Sequence, residues 1–418
     1  MNLEWIPDVI LTLMKRFDQA GYELVLVGGA VRSYYSGERP KDWDLSTDAT
    51  PEDMMELSDD WGYRTIPTGI RHGTLTWIVA GYHLEITTYR VEGTYEGYRR
   101  PLEMTFTKDL ENDLARRDFT MNAMAVHADK GLVDPFGGRK DLQRGVLRAV
   151  GDPRIRLAED ALRSFRAIRF ASRYGLRIDP ELRTALESEG DKVRYLSGER
   201  VKQELDLILS SDTWQVGVAG LLEFGLLKDW IPVWSHLHHD RVMEEEWKVS
   251  HRLTRFALFM LLTDVELEES DWDLVRLRAG SRERKVVAKL LTQDPRVAHY
   301  LHDRYEARKL IQAIGKPWVL PYLELYTVWH GETDEAELVR SVLADDPVVE
   351  VKDLAVSGSD LIQLGLKSGP EIGDWLKACL EVVVKEPNRN TKEELIEYIK
   401  ERVGLKWTPC QGHIKKRD

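Results

Sequence analysis

The chain has 418 residues, of which 43% are hydrophobic and 31% are charged, and its formal net charge is −12. These proportions are typical of globular proteins of two to four domains. The sequence also excludes a membrane-spanning helix, because no apolar run reaches about 18 residues. Only two cysteines occur, Cys379 and Cys410. We therefore expect a cytoplasmic protein with no disulfide framework, zinc site, secretory signal or membrane contact.

The acidic total conceals a basic segment. Between Arg139 and Arg183 there are twelve Lys or Arg residues and six Asp or Glu residues. A net charge of −12 alone argues against a nucleic-acid partner. A local basic excess can nevertheless form a binding surface for a polyanion.

The first predicted elements are a helix over residues 3–20 and a buried strand from Leu24 to Val27. Gly28 and Gly29 then allow a tight turn into a short helix. Backbone N–H groups at such a helix start can bind phosphate. Arg32, one turn into the helix, can bind an anionic ligand.

Two acidic residues follow in an extended segment. Strand periodicity places Asp42 and Asp44 on one face, with Trp43 opposite. Two carboxylates on one face favour a cation between them, and Mg²⁺ commonly combines one or two carboxylates with substrate phosphates. The alternative is a solvated acidic loop. The Gly-Gly-x-x-Arg pattern upstream favours the metal site.

The next segments read as a helix and a hairpin. Thr50 is a predicted N-cap with Pro51 at the first helical position. Two alternating strands are predicted to turn at Ala80 and Gly81. Glu85, on the second strand, is either a third carboxylate of the site or an ordinary exposed residue. Residues 91–110 contain two glycines, a proline and clustered charges, and we expect a mobile loop.

The sequence Arg116-Arg117-Asp118 precedes another apolar strand. Adjacent arginines can hold a triphosphate or a ribose through their fork-shaped donors, and we expect Asp118 to orient one of them. The alternative is a surface ion-pair cluster, which contributes little stability.

Beyond Gly151 the sequence predicts helices throughout. One of these helices has an apolar stripe that faces the core, formed by Leu162, Phe165 and Ile168. Helix geometry gathers three polar residues on the other side, namely Asp160, Arg163 and Arg166.

The alternative is that these polar residues only form ion pairs on the helix surface. Pairs such as Glu159–Arg163 are common helix ion pairs of about 0.2–0.5 kcal/mol each. An arginine at every third residue exceeds what such pairing needs, although Arg169 lies further round the helix. Another helix is predicted from Val201 to Leu209.

The remainder reads as helical, with a body over about 210–345 and a last unit over 353–405. A short acidic and histidine-rich group resembles a metal cluster, and we interpret it as a surface loop. Its members are His236, His238, His239 and Asp240.

Five segments carry a family resemblance: LVGGAVR…DWDLST, RRDFTMNAMAV, DPFGGRKDL, EDALRSFRAIRF and SGERVKQEL. Over about residues 20–210 they resemble, in order and spacing, the motifs of the class II tRNA nucleotidyltransferase and bacterial poly(A) polymerase family. Chain length and the tail beginning DLAVSGSDLI are most similar to the CCA-adding enzymes of Gram-positive bacteria.

The resemblance implies an α+β fold in four parts. Residues 1–148 would form a polymerase-β-like nucleotidyltransferase head, a mixed sheet with helices. Residues 149–210 would form an all-α neck that recognises the nucleotide base. A body (211–345) and a tail (346–418), both helical, would bind tRNA through its acceptor/T-arm top half and 3′ end.

The resemblance also implies roles for individual residues. Asp42 and Asp44 would be catalytic and would hold Mg²⁺. The incoming CTP or ATP would be bound by seven residues, namely Gly29, Arg32, Arg117, Asp160, Arg163, Arg166 and Arg169. One departure is Ser33, where many relatives carry Asp, and it leaves open how Arg32 is held.

These residues suit nucleotidyl transfer, which needs metal ions and positioning but no covalent nucleophile. Cytosine and adenine each present an amine donor beside a ring-nitrogen acceptor. Asp160 can accept from the amine while Arg163 donates to the ring nitrogen, whereas uracil and guanine present the reverse order. This pair cannot separate C from A, so we expect the loop near 93–112 to change the site between additions.

Several alternatives remain open. Within the same chemistry, the chain is a CC-adding or A-adding enzyme, or a bacterial poly(A) polymerase. CC-adding relatives lack part of the loop after the hairpin, which looks complete here, and no long basic extension follows the tail. From another class, the chain is a non-catalytic RNA-binding protein, against which Asp42 and Asp44 argue. Oligomeric state is left open.

Overall fold

The chain forms two compact units in a computed structural model. The structure describes residues 3–93, 95–96, 100–101, 104–237, 239–243, 247–263, 267–298 and 301–403. The first unit comprises residues 1–246 and 272–279, and the second comprises 247–271 and 280–418.

The first unit begins with a mixed sheet and helices. Its elements to residue 148 are, in chain order, α1 (Asp8–Gln19), β1 (Leu24–Val27), α2 (Gly29–Tyr35), β2 (Asp44–Thr47), α3 (Pro51–Asp60), β3 (Arg64–Gly69), β4 (Thr74–Val79), β5 (Tyr82–Thr88), β6 (Arg90–Glu92), β7 (Tyr95–Glu96), β8 (Arg100–Pro101), β9 (Met104–Phe106), α4 (Leu110–Ala115), β10 (Ala125–His127), β11 (Gly131–Val133), α5 (Gly138–Gln143) and β12 (Val146–Leu147).

Seven of these strands form one sheet in the order β11-β10-β1-β2-β5-β4-β3. Strands β2 and β5 run parallel, and the other neighbours are antiparallel. The sheet is therefore mixed, as the α+β prediction requires.

One face of this sheet packs against α1. The buried residues of α1 recur at helical spacing, namely Ile10, Leu13, Met14 and Phe17. On β5, Leu84 and Ile86 belong to the same core, whereas His83 and Glu85 are exposed on the opposite face. Strand alternation thus separates a core face from a face that carries Glu85.

Two local predictions are confirmed in this region. Thr50 caps α3 through a reciprocal capping box with Asp53. Strands β4 and β5 form the predicted hairpin, whose turn residues Ala80 and Gly81 have φ values of 49° and 84°.

The prediction of a loop over 91–110 was wrong for its described part. Strand β6 pairs with β9, and β7 pairs with β8. The β-favouring residues Val91, Thr105 and Phe106 lie in the first ladder and outweigh the nearby glycines. Three residues of this segment, Gly97, Tyr98 and Arg99, lie outside the described residues.

After residue 148 the first unit is mainly helical. Its further elements are α6 (Pro153–Glu159), α7 (Leu162–Tyr174), β13 (Arg177–Ile178), α8 (Pro180–Glu189), α9 (Gly198–Leu209), α10 (Trp214–Glu223) and α11 (His239–Met243). The expectation of helices throughout was wrong at β13, which pairs in parallel with β12. Gly175, with φ of 61°, ends α7 in the left-handed region and directs the chain into this strand.

The first residue of α9, Gly198, is at a position where only glycine fits. A Cβ atom at this position would lie 2.1 Å from the carbonyl oxygen of Arg276. The close approach places the first turn of α9, and with it Arg200, against the rest of the unit.

The second unit is helical in its described residues, as predicted for the body and tail. Its helices are α12 (Arg252–Leu262), α13 (Leu267–Arg276, which continues into the first unit), α14 (Ser281–Thr292), α15 (Arg304–Ile314), α16 (Lys316–His330), α17 (Asp334–Ala344), α18 (Gly358–Gln363), α19 (Pro370–Lys385) and α20 (Lys392–Val403). Across the described parts of the chain, no helix combines the length and apolar character needed to cross a bilayer.

Candidate active site

A cavity of about 600 Å³ opens in the first unit at the turn between β1 and α2. All nine site residues predicted from the sequence line it. They are Gly29, Arg32, Asp42, Asp44, Arg117, Asp160, Arg163, Arg166 and Arg169. The structure therefore brings residues from the sheet and from the following helices into one site.

The turn at Gly28 sets the floor of the cavity. Its φ of 63° favours glycine, and a Cβ atom there would lie 3.2 Å from Nη1 of Arg117 and 3.9 Å from Oδ2 of Asp44. Because Gly28 has no side chain, its backbone can approach both the guanidinium of Arg117 and the carboxylate of Asp44.

Asp44 is the first residue of β2 and lies opposite Glu85 in the parallel pairing with β5. Asp42 precedes the strand, so the prediction that both aspartates share one strand was wrong. Both nevertheless line the same cavity. Burial raises the pKa of Asp44, and the nearby carboxylate of Glu85 raises it further.

A second cavity, of about 740 Å³, reaches the same carboxylates from the exposed face of the sheet. It shares Lys41, Asp42 and Asp44 with the first cavity. Its other lining residues come from the 43–85 region, namely Trp43, Ile66, Thr68, Thr76, Gly81, Tyr82, His83 and Glu85. The two cavities therefore meet at Asp42 and Asp44.

Asp113, not Asp118, holds the adjacent arginines. The side chain of Asp113 is fully buried and accepts from Arg116 at 2.8 Å and from Arg117 at 3.2 Å. Burial alone would raise the pKa of Asp113, but the two guanidinium groups reverse this and lower it. The expectation that Asp118 orients Arg116 or Arg117 was wrong, because Asp118 points to a different partner.

That partner is Arg166, whose Nη2 lies 2.7 Å from Oδ2 of Asp118. Asp118 also accepts from the side-chain amide of Asn122 at 2.8 Å and from the backbone N–H of Phe119 at 2.8 Å. Burial would raise the pKa of Asp118, but Arg166 and Asn122 lower it from 3.8 to about 2.

We expect Asp118→Asn to reduce the free energy of unfolding by about 2–3 kcal/mol at pH 7, since each pKa unit corresponds to about 1.4 kcal/mol. Because the pKa of Asp118 is lower in the folded state, its carboxylate contributes its full stabilisation at pH values above the unfolded pKa, which is near 3.8. That stabilisation is lost as the pH falls towards 2. Urea titrations at pH 7, 4 and 3 should show the difference between variant and wild type shrinking.

Asp129→Asn is the control, because Asp129 is an exposed aspartate. It should change the stability little at every pH. A difference between Asp118→Asn and wild type that does not depend on pH would contradict the assignment.

Asp160 and Arg163 line the cavity with separate partners. Asp160 lies between α6 and α7 in an extended conformation, so its predicted place on a helix face was wrong. It accepts from Arg200 at 2.8 and 3.1 Å. Arg163 donates to Glu159 at 2.7 Å, which is the helix ion pair considered as the alternative, and also to the carbonyl oxygen of Arg116.

Helix α9 supplies partners that the sequence reasoning missed. Arg200 binds Asp160, and Glu204 accepts from Arg169 at 2.6 Å. Their spacing of four residues puts both on one face of α9, which was a usable signal. Asp113 was also missed, although it stands four residues before Arg117.

The donor set fits a divalent cation shared with a substrate. Asp42 and Asp44 offer the oxygen ligands that Mg²⁺ prefers. Among the described residues, no group of three His, Cys, Asp or Glu side chains forms a metal-binding set. Within the segment 236–240, which was interpreted as a surface loop, His238 lies outside the described residues. The interpretation was wrong for His239 and Asp240, which begin α11. Two carboxylates would leave coordination positions for phosphate oxygens.

Three segments match known protein families. Residues 24–148 match the poly A polymerase head domain, 175–237 match a probable RNA- and SrmB-binding site of polymerase A, and 234–399 match the putative tRNA nucleotidyltransferase domain 2.

Relatives cover almost the whole chain. The CCA-adding enzyme of Levilactobacillus brevis is 33% identical over 95% of this chain and 99% of its own length. That of Lacticaseibacillus paracasei is 32% identical over 93% and 96%. The crystal structure of the Bacillus stearothermophilus CCA-adding enzyme in complex with CTP has 28% identity, a TM-score of 0.76 and coverage of 97% and 100%. The chain belongs to the CCA-adding enzymes, which are tRNA nucleotidyltransferases.

Proposed function

We propose that this enzyme adds C, C and A in turn to the 3′ end of tRNA, using CTP and ATP and no nucleic-acid template. The observation that carries the proposal is the meeting of two cavities at Asp42 and Asp44. In-line transfer of a nucleotidyl group needs the attacking hydroxyl and the leaving pyrophosphate on opposite sides of the reacting phosphorus. Two cavities that meet at the carboxylates offer separate places for the nucleotide and for the acceptor.

The nucleotide belongs in the arginine-lined cavity. Gly29, Arg32 and Arg117 are proposed to bind the triphosphate, because they lie at the helix start and beside the carboxylates. Arg166 and Arg169 line the same wall and complete the nucleotide site. The related enzyme solved with CTP supports a nucleotide of this class.

Membership of a nucleotidyltransferase family implies dependence on a divalent cation, and we propose Mg²⁺ held by Asp42 and Asp44. When bound there, such a cation would lower the pKa of the attacking 3′-hydroxyl and neutralise charge on the leaving pyrophosphate. The two aspartates would hold the cation, and Arg117 and Arg32 would stabilise negative charge on the triphosphate.

Base choice rests on Asp160 and Arg163. Asp160 accepts from the exocyclic amine of cytosine or adenine, and Arg163 donates to the neighbouring ring nitrogen. Uracil and guanine would face this pair with the reverse order of donors and acceptors. Each such contact is worth about 1–3 kcal/mol on the scale known for DNA bases. Arg200 and Glu159 hold the two residues in place before the nucleotide arrives.

The acceptor belongs in the second cavity, with its 3′-hydroxyl at the carboxylates. RNA duplexes are recognised mainly by shape and phosphates. We propose that residues 211–345 and 346–418, a body and a tail, bind the top half of tRNA, with the head ending near 148 and the neck near 210. The match of residues 234–399 to a tRNA nucleotidyltransferase domain supports this assignment. A cytoplasmic location agrees with the scarcity of cysteine.

Three tRNA transcripts test the function directly. They end before CCA, after CC, and after CCA, and each is incubated with CTP, ATP or both. We expect the first to gain CC with CTP and CCA with both nucleotides, the second to gain A, and the third to remain unchanged. Addition of A alone, of CC alone, or of an unbounded A tail would replace the proposal with the corresponding specialist or with a poly(A) polymerase.

We expect deletion of residues 95–100 to leave C addition largely intact and to stop growth at CC. The Asp160–Arg163 pair fits cytosine and adenine alike, so another segment must adapt the site to the larger base. The ladder of β6 and β9 joins this segment to the site, because Glu92 pairs with Arg116. Sequencing gels of the products give the measurement. Equal loss of every addition, or normal CCA ends, would contradict the role.

A further inference from the structure

The arginines around the nucleotide cavity differ in how their charges are balanced. Seven of them contact a carboxylate within 4 Å, in the pairs Arg116–Asp113, Arg117–Asp113, Arg163–Glu159, Arg166–Asp118, Arg169–Glu204, Arg173–Glu38 and Arg200–Asp160. Within the described residues, two cavity arginines have no such carboxylate, the exposed Arg39 and the half-buried Arg32. The hydrogen-bond acceptors of Arg32 are the neutral side chains of Asn122 and Tyr174.

Two aromatic rings of α7 contact the guanidinium of Arg32, and other arginines of α7 also lie against them, namely Arg166 and Arg169 at Phe170 and Arg173 at Tyr174. The central carbon of the Arg32 guanidinium lies 4.9 Å from the ring centroid of Phe170 and 5.3 Å from that of Tyr174. The two rings stack at 6.3 Å with an angle of 29°, since residues four apart share a helix face. The hydroxyl of Tyr174 accepts from Nε of Arg32 at 3.1 Å. We call Phe170 and Tyr174 the aromatic bracket.

The ring of Phe170 in the aromatic bracket is itself held by packing. Phe170 is 2% exposed and packs edge-on against Phe119, with ring centroids 5.8 Å apart. Ser33, the neighbour of Arg32, provides no carboxylate to orient it. Aromatic faces orient a guanidinium through its plane and leave its in-plane N–H donors accessible. Of the five donors of Arg32, the hydrogen bonds to described residues use two.

We propose that the aromatic bracket is a positioning device for the triphosphate. It fixes Arg32 at the cavity without neutralising it, so that the full positive charge meets the phosphates. A carboxylate partner would compete with the phosphates for the same donors. The inference rests on the proposed function, and it assigns Phe170 and Tyr174 as positioning residues that act through Arg32.

The test compares Tyr174→Leu, which removes the ring, with Tyr174→Phe, which keeps it. For Tyr174→Leu we expect the KM for CTP and for ATP to rise alike, by about tenfold, from the strength of a partly buried cation–π contact. The kcat and the discrimination against UTP should stay near wild type. Tyr174→Phe should recover most of the affinity.

Two further measurements separate positioning from general support of α7. In an Arg32→Ala background, Tyr174→Leu should cause no further rise in KM, because the two residues act on one contact. The matched control is Tyr195→Leu, which removes a ring 4.9 Å from Arg194 outside the cavity. It should leave every kinetic constant unchanged.

An unchanged KM for Tyr174→Leu would overturn the proposal. So would relaxed base choice, or an equal rise in KM when Arg32 is already absent, since either shows a disturbed helix. Failure of the wild type to add nucleotides would instead refute the proposed function. Calorimetric titration with CTP would then still decide the bracket, because the expected tenfold loss of affinity does not require turnover.

Discussion

Replacing Asp44 or Asp42 with Ala should abolish nucleotide addition while leaving tRNA affinity nearly unchanged. Both carboxylates lie where the two cavities meet, so each variant loses an oxygen ligand for the cation at the reacting centre. Loss of metal-assisted stabilisation worth about 4 kcal/mol corresponds to a rate at least a thousandfold lower. Single-turnover addition of C, together with a filter-binding titration of tRNA, provides the measurement.

Asp59→Ala is the matched control, because Asp59 is an exposed aspartate on α3 outside both cavities. Its rate should equal that of wild type. Near-normal addition by both Asp42→Ala and Asp44→Ala would rule out the assigned metal site. An equal fall in tRNA affinity would show that the change disturbed the fold rather than the chemistry.

Replacing Asp160 or Arg163 with Ala should relax base choice more than it slows transfer. Each residue provides one of two contacts to the base, so we expect discrimination against UTP and GTP to fall roughly ten- to a hundredfold. Competition between all four nucleotides for one acceptor gives the measurement.

The control here is Arg154→Ala, an exposed arginine on α6 that is not part of the cavity lining. It should leave base choice intact. Because Arg163 also pairs with Glu159, Arg163→Ala leaves that carboxylate with Arg156 as its one remaining ion-pair partner among the described residues, and thermal unfolding must be followed in parallel. Unchanged discrimination in both variants would restrict the two residues to structural ion pairing.

Sequence reasoning succeeded where the signal was local. The turn at Gly28, the Thr50 cap and the hairpin at Ala80 each depend on a few neighbouring residues whose conformational preferences agree. Asp42 and Asp44 were also chosen from a local pattern, and both line the cavity although β2 begins only at Asp44; their role as metal ligands stays a prediction.

It failed where distant residues meet. Arg32 bonds to Tyr174, which is 142 residues away, and Arg166 bonds to Asp118 across 48 residues. Adjacency suggested Asp118 as the partner of Arg117, whereas the fold buries Asp113 there instead. Nothing in a single sequence tells which carboxylate the packing will enclose.

The parallel pairing of β12 with β13 has a practical consequence for anyone cutting this protein into fragments. A fragment ending at residue 148 would retain Val146 and Leu147 but lose the strand that pairs with them. It would also lose Arg166, the ion-pair partner of Asp118, and Phe170, which packs against Phe119. We expect such a truncated head to aggregate. A fragment that keeps the active site must therefore extend at least through α9.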